Sequence, residues 1–278
     1  MTVIQTLQSI QKRCTPAAGE FALPEAERIL EFLLNCSRSE LYLSSQIEIP
    51  AEKNDTIETI IDRRLTGEPL AYILGSAYFY NGECVVTPDV LIPRPDTEIL
   101  VEEVLKNERS FNDRFLEFGT GSGCIAAVLT GQNPSWKAVA TDFSFPALKI
   151  ARQNCQKDVP LLCCDRLSAI TATNRPRFDF IVSNPPYIRS AVLPVLEKSV
   201  YAYEPLSALD GGTDGLDFFR YLAKEAPPLL IRGGRIYCEI GYDQGTDAPD
   251  IFSSHGWTDI SVTNDMGNRP RVLRAIKP

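Results

Sequence analysis

The sequence predicts an α/β protein in which a small helical bundle precedes a doubly wound, mostly parallel β-sheet. Apolar residues recur at helical spacing through residues 1–75, which is typical of amphipathic helices that share a core. From Pro93 onward, short apolar runs alternate with helix-length segments, which is typical of a parallel sheet with crossover helices. The predicted parts are a helical bundle (1–75), a β-hairpin linker (76–92) and a sheet domain (93–278).

Composition restricts the classes of function. The 278 residues, of which 44% are hydrophobic, are enough for one or two globular domains. A net charge of −8 argues against binding by neutralisation of many phosphates, so we expect no direct nucleic-acid partner. No apolar run is long enough to span a bilayer, and no signal segment opens the chain. We therefore expect a cytoplasmic monomer with no membrane partner, no metal and eight cysteines as free thiols.

The first part is predicted to be helical throughout. Ile4, Leu7 and Ile10 recur at three-residue spacing, and "PEAERILEFLLNC" places its apolar residues on one helix face. Asp55 and Glu58 have a spacing close to that of a capping box, with Asp55 in the place of Ser or Thr, which predicts a helix capped by Asp55. In the linker that follows, an Asn-Gly pair lies between two β-prone runs and predicts the turn of a hairpin.

The sheet domain contains seven candidate strands. Helix-length segments separate the first four, so these are expected to run parallel. The last two lie about ten residues apart, too close for a helical crossover, so a hairpin joins them and the final strand is antiparallel. The candidates are Arg114–Phe118, Ala138–Thr141, Leu161–Cys164, Phe178–Ser183, Arg235–Ile240, Thr258–Val262 and Val272–Ala275.

A glycine-rich turn follows the first of these strands, in "EFGTGSGCIAAVL". Gly119, Gly121 and Gly123 allow the backbone to approach a ligand closely and leave amide donors free. Asp142 follows Gly119 by 23 residues, at the end of the next strand, where a carboxylate can accept hydrogen bonds from both hydroxyls of a ribose. The alternative for Asp142 is a helix cap. Together the loop and the acid favour a nucleotide-type site.

Three nucleotide ligands compete for this site. A phosphate-binding P-loop needs Gly-Lys-Ser/Thr, which does not follow Gly123. A dinucleotide fingerprint would place Cys124 at its third small position, which is a poor match. The G-x-G-x-G spacing fits S-adenosylmethionine better, because that ligand has no pyrophosphate. Asp165 and Arg166, at the end of the third strand, are then candidates to hold the adenine, with a loop cap as the alternative for Asp165.

The fourth strand ends in Asn184-Pro185-Pro186-Tyr187. Proline has no N–H and restricts the residue before it to extended conformations, so the loop presents mainly acceptors. Such a loop is suited to hold an –NH2 group by its hydrogens, with the ring of Tyr187 against the plane that carries it. Fixing this nitrogen in line with a sulfonium methyl group would promote methyl transfer. The alternative is an ordinary strand-ending turn.

Two further stretches have two interpretations each. Residues 93–98, "PRPDTE", form either a helix start or part of the pocket. Glu239, at the end of the fifth strand, faces the pocket either as a direct contact or as a support for other residues.

Taken with these residues, the sequence resembles the class I S-adenosylmethionine methyltransferases, and closely the PrmC/HemK family of protein-(glutamine-N5) methyltransferases. The Asn-Pro-Pro-Tyr tetrapeptide alone is shared with adenine and some RNA amino-methyltransferases. More specific are three stretches, "GEPLAYILGSAYFYNGECVVTPDVLIPRPDTEIL" (67–100), "YEPLSALDGGTDGLDFFR" (203–220) and "EIGYDQG" (239–245). The resemblance implies a Rossmann-like, seven-stranded sheet and covers nearly the whole chain.

The resemblance also implies residue roles and a substrate. The substrate would be the glutamine of the Gly-Gly-Gln motif in peptide chain release factors, which the helical domain helps to dock. The cofactor S-adenosylmethionine would contact Gly119, Thr120, Gly121, Ser122, Gly123, Asp142, Asp165, Arg166 and Asn184; the substrate would contact Asn184, Pro185, Pro186 and Tyr187, with Asn184, Pro185 and Tyr187 as the catalytic set.

Three residues depart from the family pattern. Arg166 stands where an aromatic residue is common, Glu117 replaces an aspartate, and Phe145 replaces a smaller residue. Two other functions remain open, an amino-methyltransferase that acts on adenine or guanine and a cofactor-binding scaffold without catalysis.

Overall fold

The computed structural model describes residues 1–155, 157–170 and 178–277, and these divide into two units. One unit comprises Met1–Gly75 together with Glu197–Tyr203. The other comprises Ser76–Leu196 together with Glu204–Pro278. The segment Glu197–Tyr203, which lies within the sheet domain in the sequence, therefore belongs to the helical unit.

The helical unit is built from amphipathic helices around one apolar core. Leu7, Ile10, Ile29, Leu30 and Ile61 are all buried in this core, as the helical spacing predicts. The helices are α1 (Val3–Ala18), α2 (Ala22–Leu34), α3 (Arg38–Leu43), α4 (Asn54–Leu65) and α5 (Leu70–Leu74), with α9 (Lys198–Tyr201) from the later segment.

The predicted capping of α4 by Asp55 is wrong. The helix begins at Asn54, because the one-turn helix Ala51–Lys53 leads directly into it and leaves no extended residue for a capping box. Glu58 instead accepts two hydrogen bonds from the Arg13 guanidinium, both of 2.6 Å. Capping boxes do form at the starts of α1 and α3.

The second unit contains a seven-stranded sheet within its described residues, in the order β5-β4-β3-β6-β7-β9-β8. Strands β3 to β7 run parallel, and β9 is antiparallel to both of its neighbours, as predicted. The strands are β3 (Arg114–Phe118), β4 (Lys137–Asp142), β5 (Leu161–Cys163), β6 (Phe178–Ser183), β7 (Leu230–Glu239), β8 (Thr258–Asn264) and β9 (Pro270–Ile276). The helices are α6 (Pro95–Asn107), α7 (Cys124–Gln132), α8 (Phe145–Asn154), α10 (Asp217–Glu225) and α11 (Asp247–Ser254).

Strand β7 starts five residues before its predicted first residue, Arg235. Its pairing with β6 shifts register between Leu230 and Arg235, and Gly233, within this shift, has a φ of 72°. A positive φ is readily adopted by glycine, so the strand accommodates the irregularity and continues.

The predicted hairpin is present, with its turn one residue earlier than the Asn-Gly pair. Strands β1 (Ser76–Phe79) and β2 (Gly82–Val85) pair so that Tyr80 and Asn81 form the loop. Tyr80 adopts a φ of 57°, which is rare for a residue with a large side chain. Its N–H donates to Glu98 Oε1 on α6 (2.8 Å), and this contact holds the strained residue in place.

No helix in the described ranges is long and apolar enough to cross a membrane. All eight cysteines carry free thiols.

A buried carboxylate connects the end of α6 to the sheet. Glu108, the residue after this helix, accepts hydrogen bonds from Arg235 Nε (2.6 Å) and from the Tyr237 hydroxyl (2.5 Å), both on β7. Burial raises the pKa of Glu108, while the Tyr237 and Arg235 contacts lower it. The Glu108 contacts therefore fix the orientation of α6, whose first turn reaches the opposite edge of the sheet.

We predict that Glu108→Ala lowers the free energy of unfolding by about 2–3 kcal/mol, because it leaves a guanidinium and a hydroxyl without their partner in a largely dry site. Urea denaturation followed by circular dichroism measures this loss. Glu58→Ala is the matched control, since it removes an ion pair that is exposed to solvent. A loss no larger than that of the control would contradict this role for Glu108.

Candidate active site

A cavity of about 360 Å³ lies at the carboxyl ends of β3, β4, β5 and β6. This is the edge at which open α/β sheets bind ligands. The predicted residues that line the cavity are Gly119, Thr120, Gly121, Ser122, Asp142, Asp165, Arg166, Asn184 and Pro186. The other predicted site residues, Gly123, Pro185 and Tyr187, are described by the structure but do not line the cavity. Four neighbouring strands thus bring the glycine loop, the ribose acid, the adenine candidates and the Asn-Pro-Pro-Tyr loop together.

The glycines of the loop have two different roles. Gly119, Gly121 and Gly123 all have positive φ, between 53° and 79°, which other residues adopt only with strain. An added Cβ at Gly119 or Gly121 would meet open space, whereas one at Gly123 would lie 2.8 Å from Cys155 Sγ. The first two glycines therefore shape the loop beside the cavity, and Gly123 allows α7 and the end of α8 to approach each other.

Asp142 holds the loop and does not cap the following helix. Its two carboxylate oxygens accept the N–H groups of Gly121 and Ser144, each at 2.8 Å. The cap of α8 is Ser144, whose hydroxyl accepts the N–H of Ala147 (3.2 Å). Burial raises the pKa of Asp142, and the hydrogen bonds from backbone N–H groups lower it. Each oxygen keeps a further lone pair with which it can accept a hydroxyl of a ligand.

Glu117, the last acid of β3, is fully buried behind the glycine loop. Its Oε2 accepts the Thr120 hydroxyl (2.7 Å) and the Ala126 N–H (3.1 Å). Its Oε1 has no hydrogen-bond partner among the described residues. Burial raises the pKa of Glu117 to about 8, against the lowering effect of these donors. A buried carboxyl oxygen without a partner is costly, which agrees with the raised pKa.

Arg166 presents a flat, cationic surface to the cavity. Its guanidinium lies over the ring of Tyr221, 4.7 Å from the centroid, and 5.9 Å from the centroid of Phe218. Both rings belong to α10, and the Phe218 ring also lines the cavity. A planar guanidinium supported by an aromatic ring can itself stack on a flat ligand. An aromatic side chain is therefore not required at this position to form a stacking surface.

The Asn-Pro-Pro-Tyr loop is held at both ends by one carboxylate. Asn184 Nδ2 donates to Thr97 Oγ1 (3.1 Å), and Thr97 Oγ1 donates to Glu239 Oε2 (2.6 Å). The Tyr187 hydroxyl donates to Glu239 Oε1 (3.0 Å). Burial raises the pKa of Glu239, while the Thr97 and Tyr187 hydroxyls and the charge of Arg271 lower it. Residues 93–98 had two possible roles, as a helix start or as part of the pocket. Thr97 has both, since it lies in the first turn of α6 and lines the cavity.

The backbone of this loop is supported by a second buried side chain, Gln244. Its Nε2 donates to the carbonyls of Tyr187 (3.1 Å) and Gly215 (3.0 Å), and its Oε1 accepts the N–H of Gly241 (2.8 Å). An added Cβ at Gly211 would lie 2.7 Å from Tyr187 Cα, so only glycine fits there. Residues of the stretches 203–220 and 239–245 thus contact the Asn-Pro-Pro-Tyr loop and support its backbone.

Sequence reasoning named the glycine loop, Asp142, Asp165, Arg166 and the Asn-Pro-Pro-Tyr loop as site residues. It left two interpretations open for residues 93–98, which include Thr97, and it gave no site role to Glu117 or Gln244. For Glu117 a signal existed, because a carboxylate inside an otherwise apolar strand is expensive to bury without a purpose. For Gln244 the sequence holds no comparable signal, since the Tyr187 and Gly215 carbonyls that it bonds are far away along the chain.

Two family models match parts of this chain. Residues 5–75 match the PrmC N-terminal domain, and residues 95–197 match the methyltransferase small domain. A release factor glutamine methyltransferase from Koribacter versatilis is 38% identical, with 100% of this chain and 99% of the relative covered. A protein of the same name from Coxiella burnetii is 37% identical, with 99% of each chain covered.

Among solved structures, a methyltransferase from Pyrococcus furiosus is 19% identical, with a TM-score of 0.51 over 81% of this chain and 98% of that one. It shares the fold, and the predicted fold class is confirmed. The two full-length relatives likewise confirm the predicted family: this chain belongs to the release factor glutamine methyltransferases.

Proposed function

We propose that this protein transfers a methyl group from S-adenosylmethionine to the side-chain amide nitrogen of the glutamine in the Gly-Gly-Gln motif of peptide chain release factors. The observation that carries the proposal is the orientation of Asn184 beside the cavity. Its Nδ2 faces Thr97, and its Oδ1 accepts no hydrogen bond among the described residues. An acceptor is thus presented to an –NH2 group, and relatives over the full length are named for methylation of a glutamine.

The cavity fits S-adenosylmethionine better than a dinucleotide. Its volume of about 360 Å³ lies within the range of small-molecule sites. Among the described lining residues, three carry a carboxylate, namely Asp89, Asp142 and Asp165. One lining residue, Arg166, carries a positive charge. An acidic lining disfavours a pyrophosphate and favours a ligand that carries positive charge. Asp142, which lines the cavity, suits the ribose of such a ligand.

The residues of the chain then act by orientation and electrostatics. S-adenosylmethionine, when bound, supplies a methyl group made electrophilic by a sulfonium centre. Asn184 Oδ1 accepts a hydrogen of the substrate amide and turns the nitrogen lone pair towards that methyl group. The Pro185 carbonyl, which accepts no backbone hydrogen bond in the described chain, serves as a second acceptor. Both hydrogen bonds strengthen as the nitrogen becomes positive, so they stabilise the transition state more than the ground state.

The role of Tyr187 is to form one wall of the substrate site. Its hydroxyl is held by Glu239, and its ring packs against the buried core of the sheet domain. We propose that the exposed part of the ring covers the plane of the substrate amide and excludes water from it.

A labelling experiment tests the proposed function. Purified protein is incubated with S-adenosylmethionine carrying a labelled methyl group and with release factor, with a release factor variant whose Gly-Gly-Gln glutamine is alanine, or with DNA and RNA. We expect label on the intact release factor alone. Label on nucleic acid but not on release factor would favour a base amino-methyltransferase, and label on no substrate would favour a scaffold. Either result contradicts the proposal.

We predict that Asn184→Ala lowers kcat by at least ~10²-fold, because the substrate nitrogen loses its orienting acceptor. The melting temperature should stay close to that of the wild type, since Asn184 is only partly buried. Asn112→Ala is the control, because Asn112 is exposed and precedes β3 at the amino edge of the sheet. Retention of substantial activity by Asn184→Ala would contradict the mechanism.

Asp142→Asn tests the ribose site. An amide places an NH2 group against an N–H donor, either Gly121 or Ser144, and it also removes the negative charge. We expect the dissociation constant for S-adenosylmethionine to rise by roughly 10- to 100-fold, measured by isothermal titration calorimetry. Asp158→Asn, at an exposed position after α8, removes the same charge and should leave the constant unchanged. Equal constants for the two variants would exclude Asp142 from the ligand site.

A further inference from the structure

We infer that Thr97 and Glu239 are positioning residues that fix which end of the Asn184 amide faces the substrate, and that they thereby select a glutamine over a glutamate. This inference deepens the proposed function and rests on it. Neither residue is required to touch the reacting atoms. Both act through the hydrogen bonds that connect α6, β7 and the loop after β6.

The direction of each hydrogen bond follows from the chemistry of its partners. An ionised carboxylate can only accept, so the Thr97 hydroxyl donates its single hydrogen to Glu239 Oε2 at 2.6 Å. The hydroxyl oxygen then has only lone pairs left for Asn184. The amide must therefore turn its Nδ2 to Thr97, at 3.1 Å, and its Oδ1 to the other side.

The opposite orientation of the amide is excluded by the same arrangement. Rotation of the Asn184 amide by half a turn would place Oδ1 against the lone pairs of Thr97 Oγ1 and would leave Nδ2 towards the cavity. Two acceptors in contact repel, and the Thr97 hydrogen cannot compensate because Glu239 already holds it. Thr97 and Glu239 are both almost completely buried, so water does not compete for these groups.

Glu239 positions the side chains at both ends of the Asn-Pro-Pro-Tyr loop. Its Oε1 accepts the Tyr187 hydroxyl at 3.0 Å, so a single carboxylate sets the orientation of Asn184 and of the Tyr187 side chain. Arg271 on β9 bonds Asp96 and Asp265 and supplies the nearby positive charge that a buried carboxylate needs. The Arg271 charge therefore favours the ionised form of Glu239, against the effect of burial, which raises its pKa.

Selection between amide and carboxylate follows from this fixed polarity. A glutamine NH2 donates to Asn184 Oδ1, whereas a glutamate carboxylate offers only lone pairs to the same atom. A site built to bond one hydrogen-bonding group rejects an analogue that lacks it, because its own buried groups are then unpaired. A freely rotating Asn184 would lose this selectivity, since its NH2 could serve a carboxylate.

Thr97→Val tests the inference, because valine has the shape of threonine without the hydroxyl. We expect kcat for release factor methylation to fall by ~10²-fold while KM changes by less than about threefold. Binding is measured separately by calorimetry with S-adenosylhomocysteine present and with a release factor whose target glutamine is glutamate. For this substrate the variant should bind about tenfold more tightly than the wild type, because Asn184 can now donate.

Matched variants separate positioning from general damage. Thr97→Ser keeps the hydroxyl and should retain wild-type kcat and wild-type rejection of the glutamate substrate. Thr130→Val removes another buried hydroxyl, one bonded to the Ala126 carbonyl in α7 (2.7 Å), and should change neither. Glu239→Gln provides a second perturbation that is independent of Thr97, because a glutamine side chain cannot accept with both of its ends; it should also lower kcat.

The outcomes distinguish the inference from the proposed function. A wild-type protein that transfers no methyl group to release factor contradicts the proposed function. An active wild type, combined with a Thr97→Val variant that keeps its kcat and gains no affinity for the glutamate substrate, contradicts the inference alone. A loss of kcat that Thr97→Ser does not restore would likewise overturn it.

Discussion

The structure of the candidate site depends on one buried carboxylate, that of Glu239. Two consecutive prolines remove the backbone N–H groups with which the loop after β6 could otherwise attach to its neighbours. Side chains must therefore hold it, and Glu239 does so through Thr97 at one end and Tyr187 at the other. Burial makes these hydrogen bonds strong and makes their absence costly. Gln244 also holds the loop, through a hydrogen bond to the Tyr187 carbonyl.

A second constraint is the acidic character of the cavity. Asp142 accepts backbone N–H groups with both of its oxygens and also lines the cavity, whereas Glu117, buried behind the glycine loop, keeps one oxygen without a partner among the described residues. Carboxylates at these depths are tolerated when hydrogen bonds or a cation compensate their burial. Burial raises the pKa of both groups, and the hydrogen bonds that they accept oppose this rise.

Local sequence was a good guide wherever the interacting residues are near one another in the chain. The amphipathic faces of α1 and α2, the β1–β2 hairpin and the alternation of strands and helices all follow from short-range patterns. Two local predictions differ from the structure. Asp55 does not cap a helix, because the preceding turn Ala51–Lys53 runs directly into α4 and places Asp55 inside it. The hairpin turn moved to Tyr80, because Glu98 of α6 binds the N–H of that residue and stabilises an unfavourable φ.

For the site, the order of residues along the chain was enough to place the glycine loop, Asp142 and the Asn-Pro-Pro-Tyr loop at one edge. Parallel strands end at the same edge, so residues that follow each strand must meet there. The sequence also placed Thr97 and Glu239 near this edge, but it could not state that they bond to each other across 142 residues. That contact depends on how α6 lies on β7, which Glu108 sets from the far end of the helix. The polarity of Asn184 is therefore a property of packing between distant elements, whereas its identity and its place after β6 are properties of the chain.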